Sequence, residues 1–146
     1  MRALFLLLVS MLWAGLANAN EVIGVSLDRQ LDAKPVVMSA LVQMAPQPNG
    51  KVLLVFPGWP GIPRIENKDG APAYLYLQAH VELMRPALHA AGISIATVDC
   101  PTDQWGIRGP NPTACDDSYR SSELHAKDVL ALMQKIKTEE YILRIH

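Results

Sequence analysis

"KVLLVFPGWPG", Lys51–Gly61, is the stretch on which the reading of the fold turns. Its apolar residues run without a break to Phe56, and two prolines, two glycines and a tryptophan follow at once. A continuous apolar run suits a strand covered on both faces, whereas a half-buried strand alternates. The abrupt turn after it could cradle a phosphate, polarise a carbonyl, or only redirect the chain. The flanking sequence narrows that choice.

Upstream, Glu21–Leu27 and Val36–Met44 are β-branched and partly alternating, so two strands are expected, joined by the polar segment "DRQLDAK". "APQPNG" then marks a turn into Lys51–Phe56. Downstream, residues 57–73 are rich in proline and glycine and are expected as a long loop. Leu77, Val81, Met84 and Leu88 recur at helical spacing between Ala73 and Ala91. Pro86 implies a kink or two short helices there, and Gly92 a stop. "ISIATVD", Ile93–Asp99, reads as a second buried strand, followed by an irregular stretch over 100–120. Ser121 or Ser122 can cap a helix running to about Lys137. Its expected buried stripe is Ala126, Val129, Leu130 and Met133, with Lys127, Asp128 and Lys135 facing water.

The expected order is β-β-β-α-β-α, an α/β sheet that is largely parallel after its first hairpin. Such a βαβ unit sends the loops 57–73 and 100–120 to the carboxyl ends of their strands, the edge where open α/β sheets bind ligands.

The first residues have another purpose. Arg2, an apolar run from Ala3 to about Ala17 and the small residues of Ala17-Asn18-Ala19 have the layout of a secretory signal peptide. Residues 1–19 are therefore read as a signal and 20–146 as one modest domain, periplasmic or secreted, with no later membrane span expected. Losing Arg2 leaves 12 of the 13 basic residues against 14 acidic ones, with no basic cluster, which argues against nucleic acid as a partner. Cys100 and Cys115 both survive cleavage into an oxidising compartment. If bonded, they would stabilise the fold by about 3 kcal/mol through loop closure. There is no C-x-x-C for redox or metal chemistry. A metal hydrolase is disfavoured because His80 and His89 have only Glu82 between them as a carboxylate. No cofactor is expected.

A phosphate cradle needs converging backbone N–H groups, and Pro57, Pro60 and Pro63 each remove one. An oxyanion hole asks for only one or two, which the Trp59 N–H could supply. Gly58 would allow positive φ and close approach, and the Trp59 ring could wall a pocket. A plain tight turn remains the competing reading.

Taken in order, "LLVFPGWPG", "LHAAGISIATVDCPTDQWG" and "SYRSSELHAKDVLALMQKIK" resemble the first half of a secreted α/β-hydrolase, over about Gly50 to Lys137. The resemblance implies the amino-terminal part of a hydrolase-type sheet and ester hydrolysis of a small-molecule substrate. It implies that Gly58 and Trp59 line the oxyanion hole and that Asp99 and Pro101 form the turn after the next strand. Glu123, His125 and Asp128 would sit on the following helix in a structural role. Ser121 and His125 have i, i+4 spacing, but no third group orients them as a catalytic pair.

Ester hydrolysis of this kind also needs a serine on a G-x-S-x-G elbow, followed by an acid and a histidine. "GVSLD" (Ser26) and "GISIA" (Ser94) are near misses, each within or entering a strand instead of on the turn after one. The family's next strand would be "YILRI", Tyr141–Ile145, directly before the end of the sequence at His146. No nucleophile is found. The expectation is a truncated, inactive form, with an apolar strand left at an open sheet edge that invites self-association. The alternative is a complete exported binding domain stapled by Cys100–Cys115, with Trp59, Tyr74, Tyr76 and Trp105 as its ligand surface.

Overall fold

The computed structural model describes residues 20–105 and 115–143. The elements are β1 (Asn20–Leu31), β2 (Lys34–Gln43), β3 (Lys51–Val55), β4 (Glu66–Lys68), β5 (Ala71–Ala73), α1 (Ala79–Ala90) and β6 (Ile93–Val98), then a single 3-10 turn (Thr102–Gln104), α2 (Asp117–Arg120) and α3 (Glu123–Leu143).

β1 and β2 form a longer hairpin than expected. Their ladder closes at Leu31↔Lys34 around Asp32 and Ala33, whose φ values are +50° and +60°. Asp28, Arg29 and Gln30 read as loop but, with Leu31, belong to an edge strand, where polarity is tolerated on the open side. A second hairpin, β4–β5, lies inside the expected loop 57–73 and turns at Asp69-Gly70, with φ +54° and +82°. The Asp-Gly pair is the sequence signal for such a turn.

The main sheet has the order β1-β2-β6-β3. β1–β2 and β2–β6 are antiparallel, and only β3–β6 is parallel. The expectation of a hydrolase-type α/β sheet, largely parallel after the first hairpin, is thus corrected to a mixed, mostly antiparallel sheet. The physical reason lies in burial. β2 and β6 are the most completely buried strands, through Val36, Met38, Ala40 and Leu41 on one and Ile95, Ala96 and Val98 on the other. They pair with each other at the sheet centre, which pushes β3 to the edge. β3 is not covered on both faces: Lys51 and Leu53 are exposed and Val52, Leu54 and Val55 half-buried.

The parallel register of β3 on β6 is set where the strands begin. The Asn49 N–H donates to the Gly92 carbonyl (2.8 Å), its side chain donates to the Ala91 carbonyl (2.8 Å), and its Oδ1 accepts from the Lys51 N–H (3.0 Å). Gly92 has φ +75°, and a Cβ there would lie 2.8 Å from the Gln47 carbonyl oxygen, so only glycine fits without distortion. α1 starts later than expected because Ala71–Ala73 is spent in β5, and it runs unbroken through Pro86.

The main core lies between the sheet and α3, with Ile23, Met38, Val42 and Val98 meeting Leu132 and Ile136. The Ser122 hydroxyl caps α3 by accepting from the His125 N–H (3.2 Å). The buried stripe of α3 is rotated from the expected one. Asp128, Leu132 and Ile136 are buried, while Ala126 is exposed and Leu130 and Met133 are 55% and 46% exposed. Asp128 was expected to face water and instead is 4% exposed. Tyr141–Leu143, expected to begin a strand, are the last turn of α3.

Candidate functional site

The carboxyl ends of β3 and β6 lie side by side because the strands are parallel neighbours, and the chain leaves both toward the same edge. The loop after β3 is fixed at several points. Arg120 Nη2 donates to the Pro57 carbonyl (2.6 Å), and the Cys115 N–H donates to the Pro60 carbonyl (2.8 Å). Further along, the Leu75 N–H donates to the Pro63 carbonyl (2.7 Å) and the Ile65 N–H to Asp99 Oδ2 (2.7 Å). The Trp59–Pro60 peptide is cis. A proline-rich loop offers few donors, so its carbonyls and its neighbours' donors carry the anchoring.

On this anchored loop Gly58 is exposed and Trp59 is 73% exposed. The Trp59 ring does not line the small cavity beside Asp99 and His125. Neither Gly58 nor Trp59 donates its backbone N–H to an acceptor among the described residues. The glycine whose freedom the turn uses is Gly61, at φ +74°, where a Cβ would press on Cys115 Cβ at 3.3 Å and Arg120 Nη1 at 3.1 Å. Gly58 has no positive φ, and a Cβ there would make only ordinary contact with Gln78.

Cys100 and Cys115 are bonded, with Cα atoms 6.0 Å apart, and they pack with Ile62 and Tyr119 in a second small core. Asp99 stands beside the disulfide at 1% exposure, with Oδ1 accepting from the Cys100 N–H (2.8 Å). Burial pushes its carboxyl up to about 6, opposed by the N–H groups of Ile65 and Cys100. His125 packs edge-on against Phe56 and Tyr119, with ring centroids 5.7 and 5.1 Å away. Its Nδ1 faces the Arg120 carbonyl at 3.0 Å, and burial lowers its pKa, which favours a neutral ring donating from Nδ1. The cavity that Phe56, Asp99, Arg120 and His125 help to line measures about 10 Å³, room for one water at most.

Among the described residues no serine pairs with a base at this edge. The Ser121 hydroxyl donates to the Asp117 carbonyl (2.9 Å), not to His125. Ser94 is buried and its Oγ accepts from the Ala45 N–H (3.1 Å); Ser26 lies within β1. Among the described residues no group of three or more His, Cys, Asp or Glu could hold a metal ion. Of the four aromatic residues of the binding alternative, Trp59 and Tyr74 are exposed and Tyr76 is half-buried. Trp105 is engaged: its Nε1 donates to the Cys100 carbonyl (2.7 Å) and the Arg64 guanidinium sits 5.7 Å from its ring centroid.

A partly buried ionic cluster escaped the sequence reading. Arg29 on β1 donates from Nη1 and Nη2 to the two oxygens of Asp128 (2.8 and 2.7 Å), and from Nε to Asp103 (2.6 Å). The Tyr119 hydroxyl donates to Asp128 Oδ2 (2.7 Å). The hydrogen bonds to Asp128 and Asp103 raise the Arg29 pKa further, and burial, then the bond to Asp128, raises that of Tyr119. The partners are far apart in sequence, and no local pattern links them. The cluster ties β1, the 3-10 turn, α2 and α3 together, and so holds the segments that carry the disulfide.

Comparison with family models, with curated proteins and with solved structures finds no match to this chain. The disulfide is compatible with an extracellular location. No helix among the described residues is long and apolar enough to cross a membrane. The expected signal peptide, residues 1–19, lies outside the described residues.

Proposed function

We propose that this chain is an exported, periplasmic or secreted, non-catalytic binding domain that presents Trp59 on the anchored loop after β3. The observation that carries the reading is an aromatic ring 73% exposed on a loop whose carbonyls at Pro57, Pro60 and Pro63 are all held. A large apolar ring in water is ordinarily turned inward or used for contact, and a fixed loop limits the entropy lost on binding. The disulfide supports export. The test is titration with the aromatic probe 8-anilinonaphthalene-1-sulfonate. Trp59→Ala should weaken binding at least fivefold, and Leu130→Glu, far from the loop, should leave that component unchanged. Equal binding by Trp59→Ala and the wild type removes the reading.

One observation favours a second reading, an ester-hydrolase-like protein to which this chain contributes oxyanion stabilisation. The exposed N–H groups of Gly58 and Trp59 have no acceptor among the described residues, as a site awaiting a developing negative charge requires. In that reading the chain alone does not turn over p-nitrophenyl butyrate, because among the described residues no serine is paired with a base. Hydrolysis by the full chain that depends on Trp59 would displace the binding reading in favour of a complete active site.

A further inference from the structure

We propose that β3 is an association edge, pairing antiparallel with β3 of a second copy of this chain about a two-fold axis through Leu53. The proposal is independent of the function assigned to the Trp59 loop.

β3 is the last strand of the sheet and has a hydrogen-bonded neighbour, β6, on one side only. Its residues are Lys-Val-Leu-Leu-Val, with one charge at its start and no proline. Such a strand lacks the usual devices that keep an edge from pairing. α3 packs mainly over β1 and β2, so on that face Val52 and Leu54 of β3 are only half-covered, at the margin of the core. The result is an apolar groove of about 400 Å³, with Val52 and Leu54 on one wall and Leu130, Met133 and Ile136 on the other. Leu130 and Met133 form a second apolar stripe on α3, beside the one that faces the core, at 55% and 46% exposure. On the opposite face of the sheet Leu53 is 37% exposed.

A foreign strand would satisfy the backbone edge but leave the α3 stripe in water. A second copy brings both parts. With Leu53 opposite its own symmetry mate, Val52 faces Leu54 and Lys51 faces Val55, so every cross-strand pair is apolar or mixed and the two ammonium groups stay apart. A two-fold axis normal to the sheet keeps both α3 helices on one face, where their Leu130 and Met133 stripes confront each other across the joined groove. The arrangement is isologous and closes on itself, with both β3 edges used up.

Sedimentation of the chain as produced by export to an oxidising compartment tests this. The expected result is a dimer. Leu53→Lys sets two ammonium groups face to face and should weaken association at least a hundredfold. Its circular dichroism should match the wild type, because Leu53 lies outside the core. Register is tested by cysteines: Leu53→Cys should oxidise to a covalent dimer, and Lys51→Cys should not, since Lys51 faces Val55. The proposal is overturned by a monomer at all concentrations, by open-ended oligomers, by a dimer that survives Leu53→Lys, or by equal coupling through Lys51→Cys.

Discussion

The two edges of the sheet are built on opposite plans. β1 carries Glu21, Asp28, Arg29 and Gln30, breaks its register between Ser26 and Gln30, and lies under α3, with Arg29 pinned to Asp103 and Asp128. β3 carries only Lys51 and presents leucines and valines beside a half-filled groove. An irregular, charged and covered edge resists pairing, and a straight apolar one invites it. One sheet therefore separates a finished side from an adhesive side, and the same helix serves both through adjacent stripes.

The contrast can be broken most severely on the β1 side. Asp128→Ala takes one of its two carboxylate partners from Arg29 and the acceptor from the buried Tyr119 hydroxyl, and should cost about 2–3 kcal/mol in urea unfolding. A loss under 1 kcal/mol would mean that the cluster does not hold this side. Next in size is the joint where β3 meets β6. Gly92→Ala forces a side chain into positive φ against the Gln47 carbonyl, and should lower stability by at least about 2 kcal/mol.

Between the edges, Asp99 should give a pH signature. Its carboxyl is raised to about 6 from the ordinary 3.8, so between those values the folded state holds more proton than the unfolded one. Stability from this group therefore grows as pH falls from 7 toward 4 and is lost as pH rises through about 6. Since asparagine does not titrate, the wild type should gain on the order of 2 kcal/mol relative to Asp99→Asn between pH 7 and pH 4. Parallel melting curves for the two proteins across that range would contradict it. The smallest change sharpens the contrast: Ala33→Gly relieves a φ of +60° in the β1–β2 turn and should stabilise by about 0.5–1 kcal/mol.

The existence of the principal strands was legible, because Val36–Leu41, Lys51–Val55 and Ile93–Val98 are apolar and β-branched wherever they are placed. Their lateral order was not. A continuous apolar run looks alike at the centre of a sheet and at an edge that another surface covers, and so β3 was assigned too much cover. The rotation of α3 was hidden for a related reason. Leu130 and Met133 are as apolar as Leu132 and Ile136, and the choice falls to Asp128, which must reach an arginine 99 residues away. The loop after β3 was legible as a rigid proline turn at a sheet end. The groups that hold it, Arg120, Cys115 and Asp99, converge only in three dimensions, and the demand for glycine falls on Gly61 because Cys115 and Arg120 crowd it.

The Cys100–Cys115 bond spans 15 residues between β6 and the helices. A protease that cut the backbone once anywhere within that span would not free the carboxyl-terminal portion. α3 would remain covalently tied to the strand leading into the bridge, and the two pieces would travel as one molecule until a reductant parted them. A nicked chain and an intact one would therefore be indistinguishable by mobility in an oxidising environment, with the scission revealed only on entry into a reducing one.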